Sequence, residues 1–168
     1  MKLSSFDDLK KLRNELVVNV DPKRHCITIC SGTGCQAYGC NEIAAKFYEI
    51  LEKQKLVDNI DVKRTGCHGF CERGPIVVIY PEEICYLQVK PEDIPEIISK
   101  TIKEGEIIER LVYTENEKKF VYEPEIPFYK NQKRLILGNN VKINPKKIED
   151  YIAIGGYSTL IKALKMKP

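Results

Sequence analysis

A mixed α/β fold, entered as β-α-β and continued by a β-hairpin and a closing helix, is predicted by three features of the chain. Strand-like runs fall at 25–30, where apolar residues alternate, and at 60–64, 76–80 and 84–89. Between the first two lies a stripe of Ile43, Ala44, Phe47, Ile50 and Leu51 at helical spacing. Between the last two there are only Pro81, Glu82 and Glu83, too few for anything but an antiparallel turn.

Taken in order, Ser4 or Ser5 can cap a helix over 6–17, whose Phe6, Leu9, Leu12 and Leu16 make it an amphipathic arm. Asp21-Pro22 punctuates before the first strand. A loop over 31–40 follows, then Asn41 as N-cap of a helix to about 55. The strand at 60–64 runs parallel to the first, because a helical crossover joins them. After the loop 65–75 and the hairpin comes a helix over 91–103, with Ile94, Ile97, Ile98, Thr101 and Ile102 on one face, Pro95 in its first turn and Gly105 past its end. This β-α-β-β-β-α order with a mixed sheet is the layout of a thioredoxin-like domain. The weaker pattern of 107–128, with Pro124 and Pro127, reads as an extended linker. Beyond it are a short strand at 134–137, a helix begun by Asn144-Pro145 and running to about 153, and a second over 157–165 divided off by Gly155-Gly156.

Composition narrows the function classes. With 43% hydrophobic and 30% charged residues among 168, the chain is of ordinary globular make-up. Its first residues turn acidic before any apolar stretch, and the longest strongly apolar run is residues 76–80, so neither a signal peptide nor a membrane span is expected. Seven cysteines without an export signal point to a reducing, cytoplasmic setting in which thiols serve as metal ligands. The net charge of +3 hides an asymmetry: nine Lys or Arg against Glu149 and Asp150 make 130–168 +7, and the remainder is −4. Those lysines are spread among apolar residues without interleaved aromatics, so a solvated or partner-facing surface is expected, not a nucleic-acid site.

The chemistry lies in the cysteines. Cys30-x4-Cys35 and Cys67-x3-Cys71 are two close pairs separated by 31 residues, most of them in the crossover helix. Parallel strands deliver both loops to the same sheet edge, where four thiolates can meet. Two irons bridged by sulfides need two thiolates each, which this arrangement supplies. Gly32, Gly34, Gly66 and Gly69 let backbone N–H groups approach the sulfurs and favour the reduced state. A structural zinc site or a metal-free subunit-interaction module is the alternative, although zinc knuckles usually sit in small folds that depend on the metal. A thioredoxin-type dithiol would need Cys-x-x-Cys, which the sequence lacks, and a Rieske centre would need two histidines, whereas His25 lies in a strand and His68 directly follows Cys67. His68 is expected as a loop residue near the cluster, Cys26 and Cys85 as core filler, and Cys40 as a competitor of Cys35 for the ligand role.

Cys30-Ser31-Gly32-Thr33-Gly34-Cys35 and Thr65-Gly66-Cys67-His68-Gly69-Phe70-Cys71-Glu72-Arg73-Gly74-Pro75, with Val77, Tyr80, Pro81 and Tyr86 after them, carry a resemblance. They resemble the N-terminal thioredoxin-like [2Fe-2S] ferredoxin domain of the NADH-binding subunit of NAD(P)-linked hydrogenases, a relative of the flavoprotein subunit of respiratory complex I. Phe128-Tyr129-Lys130-Asn131-Gln132-Lys133-Arg134, Asn139, Asn144-Pro145, Tyr151 and Gly155-Gly156-Tyr157 resemble the opening of that subunit's flavoprotein domain. The resemblance implies an arm over 1–20, a ferredoxin domain over 21–113, a linker over 114–129 and the start of a truncated flavoprotein domain over 130–168. It implies a [2Fe-2S] cluster on Cys30, Cys35, Cys67 and Cys71 that passes single electrons. FMN and NAD(P) would belong only to the full-length subunit, so the chain is not expected to be catalytic alone. Other iron–sulfur and flavin subunits are the expected partners, no nucleic acid or membrane insertion is expected, and homo-oligomers are left open. It further implies a cis peptide bond before Pro75. The basic extension, lacking the domain it would pack into, is expected to be mobile, swapped onto a neighbour or docked on its own ferredoxin unit.

Overall fold

The computed structural model describes residues 5–18, 21 and 23–166; Ser4, Pro22 and Lys167 lie outside the described residues. Four strands form one mixed sheet in the order β2-β1-β3-β4: β1 His25–Cys30, β2 Ile60–Thr65, β3 Val77–Tyr80 and β4 Ile84–Tyr86. β1 pairs parallel with β2, from His25 opposite Ile60 to Cys30 opposite Thr65, and antiparallel with β3. β3 and β4 form the hairpin. This is the thioredoxin-like mixed α/β architecture that the sequence predicts.

Helix α3 (Cys40–Lys53) makes the crossover and buries Ile43, Ala44, Phe47, Ile50 and Leu51, the stripe read from its period. Its start differs from the expected one. Gly39, at φ +88°, breaks the chain between a short helix α2 (Thr33–Ala37) and α3, so Asn41 is already helical and its side chain instead accepts from Arg64. The closing helix is a 3-10 turn Pro91–Asp93, an α turn α4 (Ile94–Glu96) and a wider π-type run Ile97–Glu104, ended by left-handed Gly105 as predicted. Ile94, Ile97, Ile98 and Thr101 are buried against the sheet, and Tyr86 Oη meets Thr101 Oγ1 at 2.7 Å. The N-terminal arm α1 (Phe6–Val18) is capped by Ser5, whose Oγ accepts from the Asp8 amide at 3.1 Å while the Asp8 carboxylate accepts from the Ser5 amide at 2.9 Å. It buries no residue and leans on the C-terminal extension, where Arg13 donates to Ser158 Oγ at 3.3 Å.

The stretch read as an extended linker has structure of its own. A second hairpin, β5 (Tyr113–Glu115) and β6 (Lys118–Phe120), turns through Asn116 and Glu117, both at positive φ. Residues 121–123 then run along β4: Ile84 bridges to Tyr122, the Cys85 amide donates to Val121 O at 2.8 Å, and the Glu123 amide donates to Glu83 O at 2.9 Å. Ile108, Leu111, Val112, Ile126 and Tyr129 are buried in the same core as the sheet.

Past α5 (Pro127–Lys130) the expected strand at 134–137 is absent. Leu135 and Ile136 are 82% and 92% exposed and no strand pairs with them, so their β-propensity has nothing to act against. The next helix begins at Ile148, not at Asn144: Asn144 Oδ1 accepts from the Lys146 amide and its own amide donates to Asp150 Oδ2, which holds a turn ahead of α6 (Ile148–Ala153). α7 (Ser158–Leu164) follows the Gly155-Gly156 break. Of the three fates expected for the extension, docking on its own unit is the one observed. Gly66 N donates to Asn140 O at 2.9 Å, and Lys63 and Asp150 form an ion pair at 3.4 Å.

Candidate iron–sulfur site

The parallel pairing of β1 and β2 puts Cys30 and Thr65 side by side, so both cysteine loops leave the sheet at one edge. Ser31 N donates to Thr65 O at 3.0 Å and Cys30 N to Ile76 O at 3.0 Å, which ties the loop bases together. The tips interlock. A Cβ placed on Gly32 would stand 2.9 Å from Cys67 Cβ, one on Gly34 would stand 3.5 Å from Cys71 Sγ, and one on Gly74 would stand 2.8 Å from Cys35 Sγ. Each loop therefore packs against the sulfurs of the other, and Gly74 has room for hydrogen alone. The Gly74-Pro75 peptide is cis, as expected, and so is Tyr80-Pro81, which the sequence reading did not anticipate.

All seven cysteines are free thiols. Cys67 Sγ and Cys71 Sγ lie 3.7 Å apart. Two sulfurs about 2.3 Å from one tetrahedral metal would be about 3.8 Å apart, so this pair already has the span of two ligands on one centre. Cys30 and Cys35 are hydrogen bonded to each other. The bond from Cys35 draws the Cys30 thiol well below its ordinary range, helped by the backbone amides of His68 and Gly32, while burial opposes it. Cys35, as the partner that keeps its proton, is pushed up by that same bond and by burial. Burial also raises Cys67, although the Gly69 amide donates to its Sγ at 3.2 Å. Gly69 adopts φ +91° to make that contact, a conformation that favours glycine.

Among the described residues, no three His, Cys, Asp or Glu side chains close on a point that would hold a single metal ion. Cys40 lies apart from the two cysteine pairs. It is fully buried at the start of α3, with Ser31 Oγ 4.0 Å from its sulfur, in the hydrophobic core. Cys85 is buried in β4, and Cys26 is half-buried, its thiol raised to about 11 by burial.

His68, expected near the cluster, is buried in a polar chain. Its Nε2 is 3.0 Å from Thr65 Oγ1 and its Nδ1 is 3.2 Å from Glu123 Oε1. The carboxylate can only accept, so Nδ1–H donates to it, and Thr65 Oγ1, which also lies 3.3 Å from Ile29 O, closes on Nε2. Glu123, itself buried, also faces Tyr80 Oη at 3.5 Å and Arg134 at 3.6 Å. Burial pushes its carboxyl up, but the bond and charge of His68 and the charge of Arg134 outweigh this and hold it below the ordinary range. Sequence reading missed Glu123, Thr65 and Arg134 as neighbours of the site, and no local pattern announces a partner 55 residues away. It also missed Phe128, which stacks on Phe70, between Cys67 and Cys71 in the chain, at 4.2 Å and 8° between ring planes. Beside them a cavity of about 440 Å³ opens between Cys67, His68 and Gly69 on one side and residues 132–137 on the other.

A thioredoxin-like sheet with two cysteine loops meeting at one edge defines a class of small iron–sulfur proteins. The chain belongs to the thioredoxin-like [2Fe-2S] ferredoxin family, whose sequence model matches residues 17–102. A 2Fe-2S ferredoxin of Clostridium pasteurianum is 38% identical over 99 residues, 55% of this chain and 97% of the relative. A 2Fe-2S ferredoxin of Aquifex aeolicus is 39% identical over 84 residues, 49% of this chain and 76% of the relative. The solved structure of a thioredoxin-like [2Fe-2S] ferredoxin from Aquifex aeolicus superposes with a TM-score of 0.50 at 31% identity, covering 59% of this chain and 98% of that one. Iron–sulfur electron transport is the class of function this family defines.

Proposed function

We propose that Cys30, Cys35, Cys67 and Cys71 hold one [2Fe-2S] cluster and that the chain passes single electrons through it. The observation that carries this reading is the interlocking of the two loops, with the Cys67 and Cys71 sulfurs at a shared-metal spacing and Cys30 and Cys35 paired opposite. When bound, the cluster supplies one-electron redox chemistry. The chain's own residues do the rest. Four thiolates anchor the group, the Gly69 amide donates to Cys67 and stabilises added negative charge, and Phe70 with Phe128 keeps water from one flank. Protein purified without oxygen should be brown, contain two irons and two sulfides per chain, and give a rhombic electron-spin signal on dithionite reduction. Colourless protein with stoichiometric zinc would overturn the assignment in favour of a structural site.

The tail's resemblance supports a finer reading: one cytoplasmic part of an NAD(P)H-linked oxidoreductase of hydrogenase type, with residues 130–168 opening a flavoprotein domain and FMN and NAD(P) held by the longer subunit. Among the described residues no helix is long and apolar enough to cross a membrane. On this reading NADH reduces the cluster only when flavin and iron–sulfur subunits co-purify with the chain. Reduction of the isolated chain by NADH would sink it.

A further inference from the structure

Glu123 lies outside the segment that matches the family model, yet it reaches the loop that carries two of the four cysteines. Its backbone is pinned by hydrogen bonding to Glu83 beside the sheet edge, and its carboxylate is buried against His68, with Tyr80 and Arg134 completing its surroundings. The His68 ring is thus gripped from both ends, by Thr65 on β2 and by Glu123 on the extension. The main chain of the same turn does the electrical work, because the next amide, Gly69, donates to the Cys67 sulfur at 3.2 Å.

We propose that Glu123 is a positioning residue: by clamping the His68 ring it holds the following Gly69 amide on the Cys67 sulfur and so sets the reduction potential of the group that sulfur ligates. The proposal rests on the cluster assignment above. Donors to the sulfurs favour the reduced, more negative state, so losing them lowers the potential. Deleting a nearby negative charge does the opposite, since it too favours the reduced state. The two effects of substituting Glu123 therefore carry opposite signs and can be separated.

The full chain is compared with its Glu123→Ala and Glu123→Gln variants by two measurements. In reduced, metal-free protein, amide hydrogen exchange at Gly69 should quicken at least tenfold in Glu123→Ala and stay near wild type in Glu123→Gln, whose amide oxygen still accepts from the ring. In cluster-loaded protein, the midpoint potential of Glu123→Ala should fall below wild type, while that of Glu123→Gln should stay level or rise. Unchanged exchange in Glu123→Ala overturns the proposal whether or not that variant takes up iron. A potential that rises in both variants also overturns it, leaving Glu123 as a charge alone. Wild-type protein without iron sinks the cluster assignment but leaves the exchange test of the clamp intact.

Discussion

The two cysteine loops leave the same sheet edge but meet solvent differently. Cys30 and Cys35 are 1% and 0% exposed, enclosed by the sheet, α3 and Gly74, whereas Cys71 is exposed and Cys67 half-buried. The first loop behaves as part of the core and the second as a rim. A centre held between them is anchored on its inner side and electrically accessible on its outer side, which is what transfer to a partner needs.

The sharpest way to break this comparison is to remove one ligand from each side. Cys35→Ser should abolish cluster assembly, because no water reaches that position to replace the sulfur, while Cys71→Ser should keep most of its iron and sulfide with a shifted visible spectrum. Equal losses, or the reverse order, in iron and sulfide analysis would show that the two loops do not differ as their burial suggests. Next in size is the packing under the rim. Phe70→Ala deletes a buried ring that stacks on Phe128 and meets Tyr129 edge-on, and should cost about 3–5 kcal/mol in urea unfolding of the metal-free protein.

A smaller contrast uses glycines. Gly74→Ala puts a methyl 2.8 Å from Cys35 Sγ with the Cys71 carbonyl 3.3 Å away, and should cost about 1–3 kcal/mol. Gly34→Ala meets the Cys71 side chain at ordinary contact distance and should stay within about 0.5 kcal/mol of wild type in the same assay.

The smallest effect is a pH dependence. Because the folded Glu123 carboxyl lies below its ordinary value of 4.5, the unfolded chain takes up that proton first as pH falls. The stabilisation is full above that value and fades as pH drops through the depressed one. His68, Arg134 and Tyr80 face the group. The stability gap between wild type and Glu123→Gln should therefore be full above pH 4.5 and shrink as the pH falls below it. A gap that widened with acid would contradict the sign.

Much of this was legible because it is periodic or closely spaced. The helical stripe from Ile43 to Leu51, the alternation through β1 and the two cysteine pairs are local patterns, and the parallel crossover follows from chain length between strands. What escaped was short or distant. The strands β5 and β6 are three residues each, and their turn has Glu117 at positive φ where glycine would be the usual signal. Residues 134–137 have strand-like residue types but no partner. The His68 to Glu123 pair joins two loops, and such a contact exists only once the chain has folded.

The run of residues 121–123 along β4 bears on how this protein meets copies of itself. A sheet flank with free amides and carbonyls invites a foreign strand to add on, and here one flank is occupied by the chain's own extension while the other, β2, carries Asp61, Lys63 and Arg64, engaged with Arg24, Asp150 and Asn41. The segment that reaches His68 therefore also covers the outer edge of β4, and shortening the chain to the family-matched portion would uncover that edge.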